Sequence, residues 1–153
     1  MATKYQKSWV EGATAEGLFL AHDLVTEISK ATNTQDRYEH WDYIADVKGK
    51  RIKVDIKARK RYNRSDKHFM DDHWIELKNV QGKDGWAIPN EATDRFIAFQ
   101  AKDCWILCAP EDLVKLCEEG EYERRTREGR KDLIVKIPVT DLQNIARLKL
   151  HDS

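Results

Sequence analysis

The chain has 153 residues, 27 Lys and Arg against 27 Asp and Glu, and 35% charged residues overall. That length supports a real hydrophobic core but not two independent ones, so residues 1–153 are expected to form a single domain. Zero formal net charge excludes bulk positive charge as the route to a polyanion and excludes an acidic disordered tail, so any nucleic acid has to be held by a local patch.

The opening residues Met1 to Lys7 lack the apolar run of a signal peptide. No segment approaches the roughly 20 apolar residues that span a bilayer, and the expectation is a soluble cytoplasmic protein without a membrane partner. Ser8, with Glu11 at the capping-box position, is the expected N-cap of a helix running to about Ser29. Its apolar stripe is Leu18, Ala21, Leu24, Val25 and Ile28. Gly12 and Gly17 each cost about 1 kcal/mol against alanine inside a helix, which favours a later start near Thr14 or a close approach there. Glu16 projects away from the stripe, toward either solvent or the polar face of the element that follows.

That element is a hairpin. Trp41 to Val47 and Arg51 to Ala58 alternate in polarity around Lys48-Gly49-Lys50. With Gly49 and Lys50 as the central turn residues, Asp42 faces Lys57 and Ile44 faces Asp55. Tyr43, Ala45, Val47, Ile52, Val54, Ile56 and Ala58 then share one apolar face, and Asp42, Asp46, Lys53, Asp55 and Lys57 share the other. Opposed Cβ atoms lie roughly 5 Å apart and diagonal ones roughly 7–8 Å, so the carboxylates of Asp42 and Asp55 can converge on one point. Their repulsion is relieved by a divalent cation, which takes short oxygen bonds and leaves places for water and a substrate phosphate. A nearby lysine can hold the attacking water or stabilise charge on phosphorus. The bland reading of the same residues is a solvated strand face with ordinary Asp–Lys pairs.

Asp42, followed one hairpin later by Asp55-Ile56-Lys57, resembles the core motif of the PD-(D/E)XK nuclease superfamily, an acid on one strand and then Asp or Glu, any residue, and Lys. The thirteen-residue step between the acids and the acid-bearing helix upstream are most similar to small archaeal Holliday-junction resolvases and phage nucleases. The resemblance covers roughly residues 8 to 110, and Trp41 stands where the family has proline. It implies an α/β fold with a central mixed sheet flanked by helices, a restriction-endonuclease-like core. It also implies a metal-dependent endonuclease that hydrolyses DNA phosphodiester bonds. Asp42, Asp55, Glu16 and the backbone carbonyl of Ile56 would hold Mg or Mn, and Lys57 would position the water. Glu11, Asp23 and Glu27 lie on the same expected helix and could replace Glu16. Cutting both strands suits a two-fold homodimer, and the size and resemblance point to a phage or mobile element. The alternative is a catalytically inactive nucleic-acid-binding or scaffold domain on the same fold.

Beyond the hairpin, ten basic residues between Lys48 and Lys67 face only Asp55 and Asp66. Arg59, Lys60, Arg61 and Arg64 leave the strand directly and suit a DNA backbone. Residues 65–72 read as a polar loop, Trp74 to Val80 as a strand expected beside the hairpin, and Gly82 to Gly85 as a turn. Glu76-Leu77-Lys78 is a second acid-x-lysine match, and Glu76 is a further acid that can approach the site. His68, Asp71, Asp72 and His73 are weaker metal candidates in a substrate-facing loop. Strands are expected at Arg95 to Gln100, Cys104 to Ala109 and Asp132 to Val139. Helices are expected from Pro110, carrying Leu113, Leu116 and Cys117, and from Thr140 or Asp141, carrying Leu142, Ile145 and Leu148. Arg124, Arg125, Arg127, Arg130 and Lys131 read as a solvated loop. Cys104, Cys108 and Cys117 read as buried reduced thiols, and Tyr62 and Trp86 as rings able to stack on an exposed base.

Overall fold

A computed structural model of the chain describes residues 14–61 and 68–152. Its elements are helix α1 (14–20), β1 (Val25–Lys30), α2 (Asn33–Glu39), β2 (Tyr43–Val47), β3 (Lys50–Lys57) and β4 (Asp72–Lys78). They continue with β5 (Arg95–Gln100), β6 (Cys104–Cys108), α3 (Pro110–Glu119), β7 (Arg124–Arg125), β8 (Leu133–Pro138), α4 (Val139–Ile145) and β9 (Leu148–His151). A six-stranded sheet runs in the order β1-β2-β3-β5-β6-β9, and a three-stranded sheet in the order β4-β8-β7. Only β3 and β5 are parallel neighbours, so the large sheet is mixed and the fold is α/β, as the alternation of elements implied. Among the described residues no helix is long and apolar enough to cross a membrane.

The first helix is shorter than its apolar stripe implied. Helix α1 ends at 20, and a turn built on His22 redirects the chain: its Nδ1 accepts from the Leu24 N–H at 3.1 Å, and its Nε2 lies 2.9 Å from the His151 carbonyl. Val25 onward becomes the edge strand β1, where β-branched Val, Thr and Ile sit comfortably. The helix face that packs is Ala15 and Phe19, one turn apart, whereas Leu18, Leu24 and Ile28 are exposed. Ser8, Glu11 and Gly12 lie outside the described residues. Helix α2, which the hydrophobic pattern did not show, is started by a capping box between Thr32 and Gln35.

The large sheet separates two cores. On one side, Phe19 meets Trp105 edge-on at 5.1 Å, over Ile52, Val54, Ile56, Phe96 and Leu107. On the other, Ile97, Phe99, Ile106 and Cys108 pack against α3, α4 and the inward residues Ile75, Val135 and Ile137 of the small sheet. Both faces of β5 and β6 are therefore covered, which explains their nearly continuous apolar runs. Cys104, Cys108 and Cys117 are free and buried, as expected, all in the second core. No residue of β3 belongs to that second core.

Four further expectations are corrected. β4 joins β8 rather than the hairpin, and the neighbour of β3 is β5. Leu148 belongs to strand β9, not to the last helix, and neither Thr140 nor Asp141 caps α4 through its side chain. Asp141 instead accepts a 2.6 Å hydrogen bond from the Tyr122 hydroxyl. Asp72 and His73 lie in β4, not in a loop.

The segment after β4 returns along that strand: the Gly85 N–H donates to the Leu77 carbonyl and the Ala87 N–H to that of Glu76. The approach is tight enough that a Cβ on Gly85 would fall 2.5 Å from the Glu76 carbonyl oxygen. Gly85→Ala should therefore destabilise the fold by about 1–3 kcal/mol, read as a lower urea midpoint, while the open Gly17→Ala, with nothing within 4 Å of the added carbon, leaves it unchanged or raised.

Candidate active site

The hairpin turn is Lys48-Gly49, with φ of 50° and 81°. Two left-handed central residues form the primed turn that matches strand twist, and glycine takes the second place, which corrects the expected Gly49-Lys50 turn. The observed pairs are Tyr43 with Val54, Ala45 with Ile52 and Val47 with Lys50. Relative to the expected register the strand is displaced by two residues, so every side chain keeps its face while its partner changes. Ile44 is opposite Lys53, not Asp55.

Asp42 stands in a bend just before β2. Its N–H donates to the Val54 carbonyl at 2.8 Å, and its Oδ2 accepts from the Ile56 N–H at 2.9 Å. These two bonds straddle Asp55. Lys57 Nζ lies 3.4 Å from Asp55 Oδ1 and 4.4 Å from the centre of the Trp86 ring. Asp55 is 5% exposed, shares its face with Ile97 on parallel β5, and has Lys53 and Lys57 on either side along its own strand. The three motif residues Asp42, Asp55 and Lys57 are thus brought together.

Burial first, and then the charge of Asp55, raise the Asp42 carboxyl to about 7, against the lowering effects of the Ile56 N–H and Lys57. The pair therefore holds a proton in a pH range where isolated carboxyls do not.

Glu16 is placed differently. Its Oε2 accepts from the Tyr43 hydroxyl at 3.3 Å, and Tyr43 packs with the α1 core on the other face of the sheet. Among the described residues no group of three or more His, Cys, Asp or Glu side chains is gathered to hold a metal ion. Glu76 approaches from the small sheet by accepting from the Trp86 N–H at 3.4 Å. Trp86 does not present a bare stacking face, since Lys57 lies over it and Phe99 is 6.1 Å away.

Of the basic tract, Arg59 and Arg61 both pack on Phe69, at 4.6 and 5.2 Å from the ring centre, and Lys60 is exposed. Tyr62 and Arg64 lie outside the described residues. Arg59 is steadied by its N–H, which donates to Gln100 Oε1 at 3.0 Å, and by Asp71 at 4.0 Å. His73 is buried on Phe99, its Nε2 2.8 Å from the Gln100 carbonyl, and burial lowers it to about 4. It is a neutral packing residue tied to a backbone acceptor. Asp72 pairs with Lys136 at 3.9 Å. Arg125, read as part of a solvated loop, lies over Trp74 at 4.9 Å.

Sequence reasoning passed over His40 and Arg95. His40 ends α2 in the left-handed conformation, two residues before Asp42, and its pKa is lowered by burial and then by Arg95. Arg95 is 4% exposed on β5. The capping box at Thr32 was a usable signal for the α2 corner; nothing local marks Arg95. No protein-family model, curated protein or solved structure matches the chain.

The raised Asp42 has a thermodynamic consequence. Between its unfolded value of 3.8 and about 7 the folded protein binds a proton that the unfolded chain has lost, so this contribution to stability is full at low pH and fades as pH rises through 7. Asp42→Asn keeps an oxygen for the Ile56 N–H without the charge. It should raise stability at pH 8 by on the order of 2 kcal/mol, with the advantage shrinking toward pH 5, measured by urea denaturation of both proteins at each pH.

Proposed function

We propose that this chain is a metal-dependent endonuclease of the PD-(D/E)XK kind, hydrolysing DNA phosphodiester bonds, with a restriction-endonuclease-like core built on the β2–β3 hairpin. The observation that carries the reading is the clamp of Asp42 across Asp55, with Lys57 at 3.4 Å from the second acid. Order and spacing of motif residues are one matter, and their convergence on one face of the sheet at the end of β3 is a second, independent of the first.

The donor set suits Mg or Mn. Magnesium typically uses one or two protein carboxylates, the rest of its shell being water and substrate phosphate. Asp42 and Asp55 would supply the carboxylates and Ile56 a backbone carbonyl, and a divalent cation would offset both the burial and the Asp55 charge that raise the Asp42 carboxyl. Such an ion, when bound, stabilises negative charge on the phosphate and the leaving oxygen. Lys57, held between Asp55 and the Trp86 ring, orients the attacking water by donating to it. Arg59, Lys60 and Arg61 follow Lys57 after Ala58 and contact backbone phosphates. A two-fold dimer is the form expected if both strands are cut.

The second reading is a nucleic-acid-binding or scaffold domain without activity. The hydrogen bond of Glu16 to Tyr43 favours it, because that acid is engaged on the opposite face of the sheet from Asp55.

Incubation with plasmid, branched and single-stranded DNA separates the two. Cutting is expected in Mg or Mn and absent in EDTA, with Asp55→Asn and Lys57→Ala each reducing the rate by at least about 100-fold at unchanged circular dichroism. DNA that is bound but left whole under every condition would establish the second reading.

A further inference from the structure

Arg95 is a charge in an unexpected place. It is 4% exposed, and among the described residues no carboxylate lies within the 4.0 Å of an ion pair. Its Nη1 donates to the carbonyls of His40 at 3.2 Å and Trp86 at 2.7 Å, and its Nη2 to that of Ile88 at 2.8 Å; its buried Nε has no partner. Removing a guanidinium from water is costly, and among the described residues it is met within hydrogen-bond reach only by three carbonyl dipoles. The charges of Asp55 and Glu111, beyond ion-pair distance, favour its charged form as well, but the direct hydrogen bonds of the guanidinium all go to backbone carbonyls, and what they hold is the structural consequence of this charge.

It holds both arms of the candidate active site. The accepting carbonyl belongs to His40 itself, left-handed with φ of 57°, and the chain runs from it directly into Trp41 and Asp42. The Trp86 carbonyl belongs to the residue whose ring lies under Lys57. Arg95 itself pairs with Lys53 in the parallel ladder, on the same face as Asp55. One planar fork on β5 therefore ties together two pieces of chain, His40 and the 86–88 segment, that no shared strand connects.

We propose that Arg95 is a positioning residue: a single buried cation that fixes the Asp42 corner and the Trp86 shelf under Lys57 relative to each other. The role in cutting rests on the nuclease reading, and the placement of the two arms does not.

Arg95→Lys keeps the charge but loses the fork. In the full chain with Mg and plasmid DNA, kcat should fall about 100-fold, as for a small misplacement of reacting groups, while KM changes little and circular dichroism shows the fold retained. Trp86→Leu should also lower kcat, and the double variant should lose no more than Arg95→Lys alone, because both act through Lys57. Unchanged kcat in Arg95→Lys, or independent multiplying losses, would overturn the proposal.

A wild type that cuts nothing sinks the nuclease reading, and the placement is then decided by NMR of the metal-free protein. The Trp86 indole N–H and Asp42 amide resonances should shift together in Arg95→Lys, with those of the Phe19–Trp105 core unmoved; resonances left in place would overturn it. Should that variant not fold, the wild type still decides. Scalar couplings from the Arg95 Nη atoms to the His40 and Trp86 carbonyl carbons are expected, and a freely rotating guanidinium without them refutes the assignment.

Discussion

Strand β3 alternates, and the rest of the molecule is arranged around that alternation. Ile52, Val54 and Ile56 point to one side of the sheet and form the floor beneath α1, while Lys53, Asp55 and Lys57 point to the other. With apolar anchors at every second position, a one-residue slip would turn three charges into the apolar floor and three hydrophobes out of it, so the polar row is held in place by the packing of its own backbone's far side. The parallel partner β5 then supplies Ile97 and Phe99 beside Asp55 and Lys57, and this explains how an acid comes to be almost wholly buried at the rim of an apolar layer.

Chemistry at that rim is shaped by unequal compensation. Asp55 has cations along its own strand and Arg95 on the next, whereas Asp42 has one backbone N–H and more distant positive charge. Burial first, and then the neighbouring charge of Asp55, raise the Asp42 carboxyl beyond what that N–H and Lys57 offset. Trp86 connects this electrostatic asymmetry to the second sheet: its N–H meets Glu76, its carbonyl meets Arg95, and its ring carries Lys57. The small sheet thus reaches the hairpin through one returning segment, whose close passage along β4 depends on the missing side chain at Gly85.

How much of this could be read in advance follows the range of the interactions. Period-two alternation is local, so the two faces of the hairpin were readable even though the turn was placed one residue late. The error displaced the strand by two and so cancelled in the faces while changing every partner. The stretch from Leu18 to Ile28 misled because the same apolar residues fit a helical stripe, and the turn that divides it depends on His22 reaching His151, 129 residues away. Helix α2 had a local signal in Thr32 and Gln35 that was outweighed by its lack of an apolar face; none of its residues is buried. The pairing of β4 with β8, the contact of Glu16 with Tyr43 and the reach of Arg95 are tertiary, and no spacing in the chain encodes them. The motif residues were readable, then, but the groups that hold them were not.

The three thiols of the second core illustrate how the two sides of the sheet differ in accessibility. Burial pushes Cys108 up to about 12 and Cys117 up to about 11, and both side chains are fully enclosed. A thiol in that state is scarcely nucleophilic and has no path to reagent. Alkylation of Cys108 and Cys117 in the native protein is accordingly limited by how often the α3 side of the sheet opens, and their labelling rate becomes a clock for the breathing of that half alone, since the α1 side carries no cysteine.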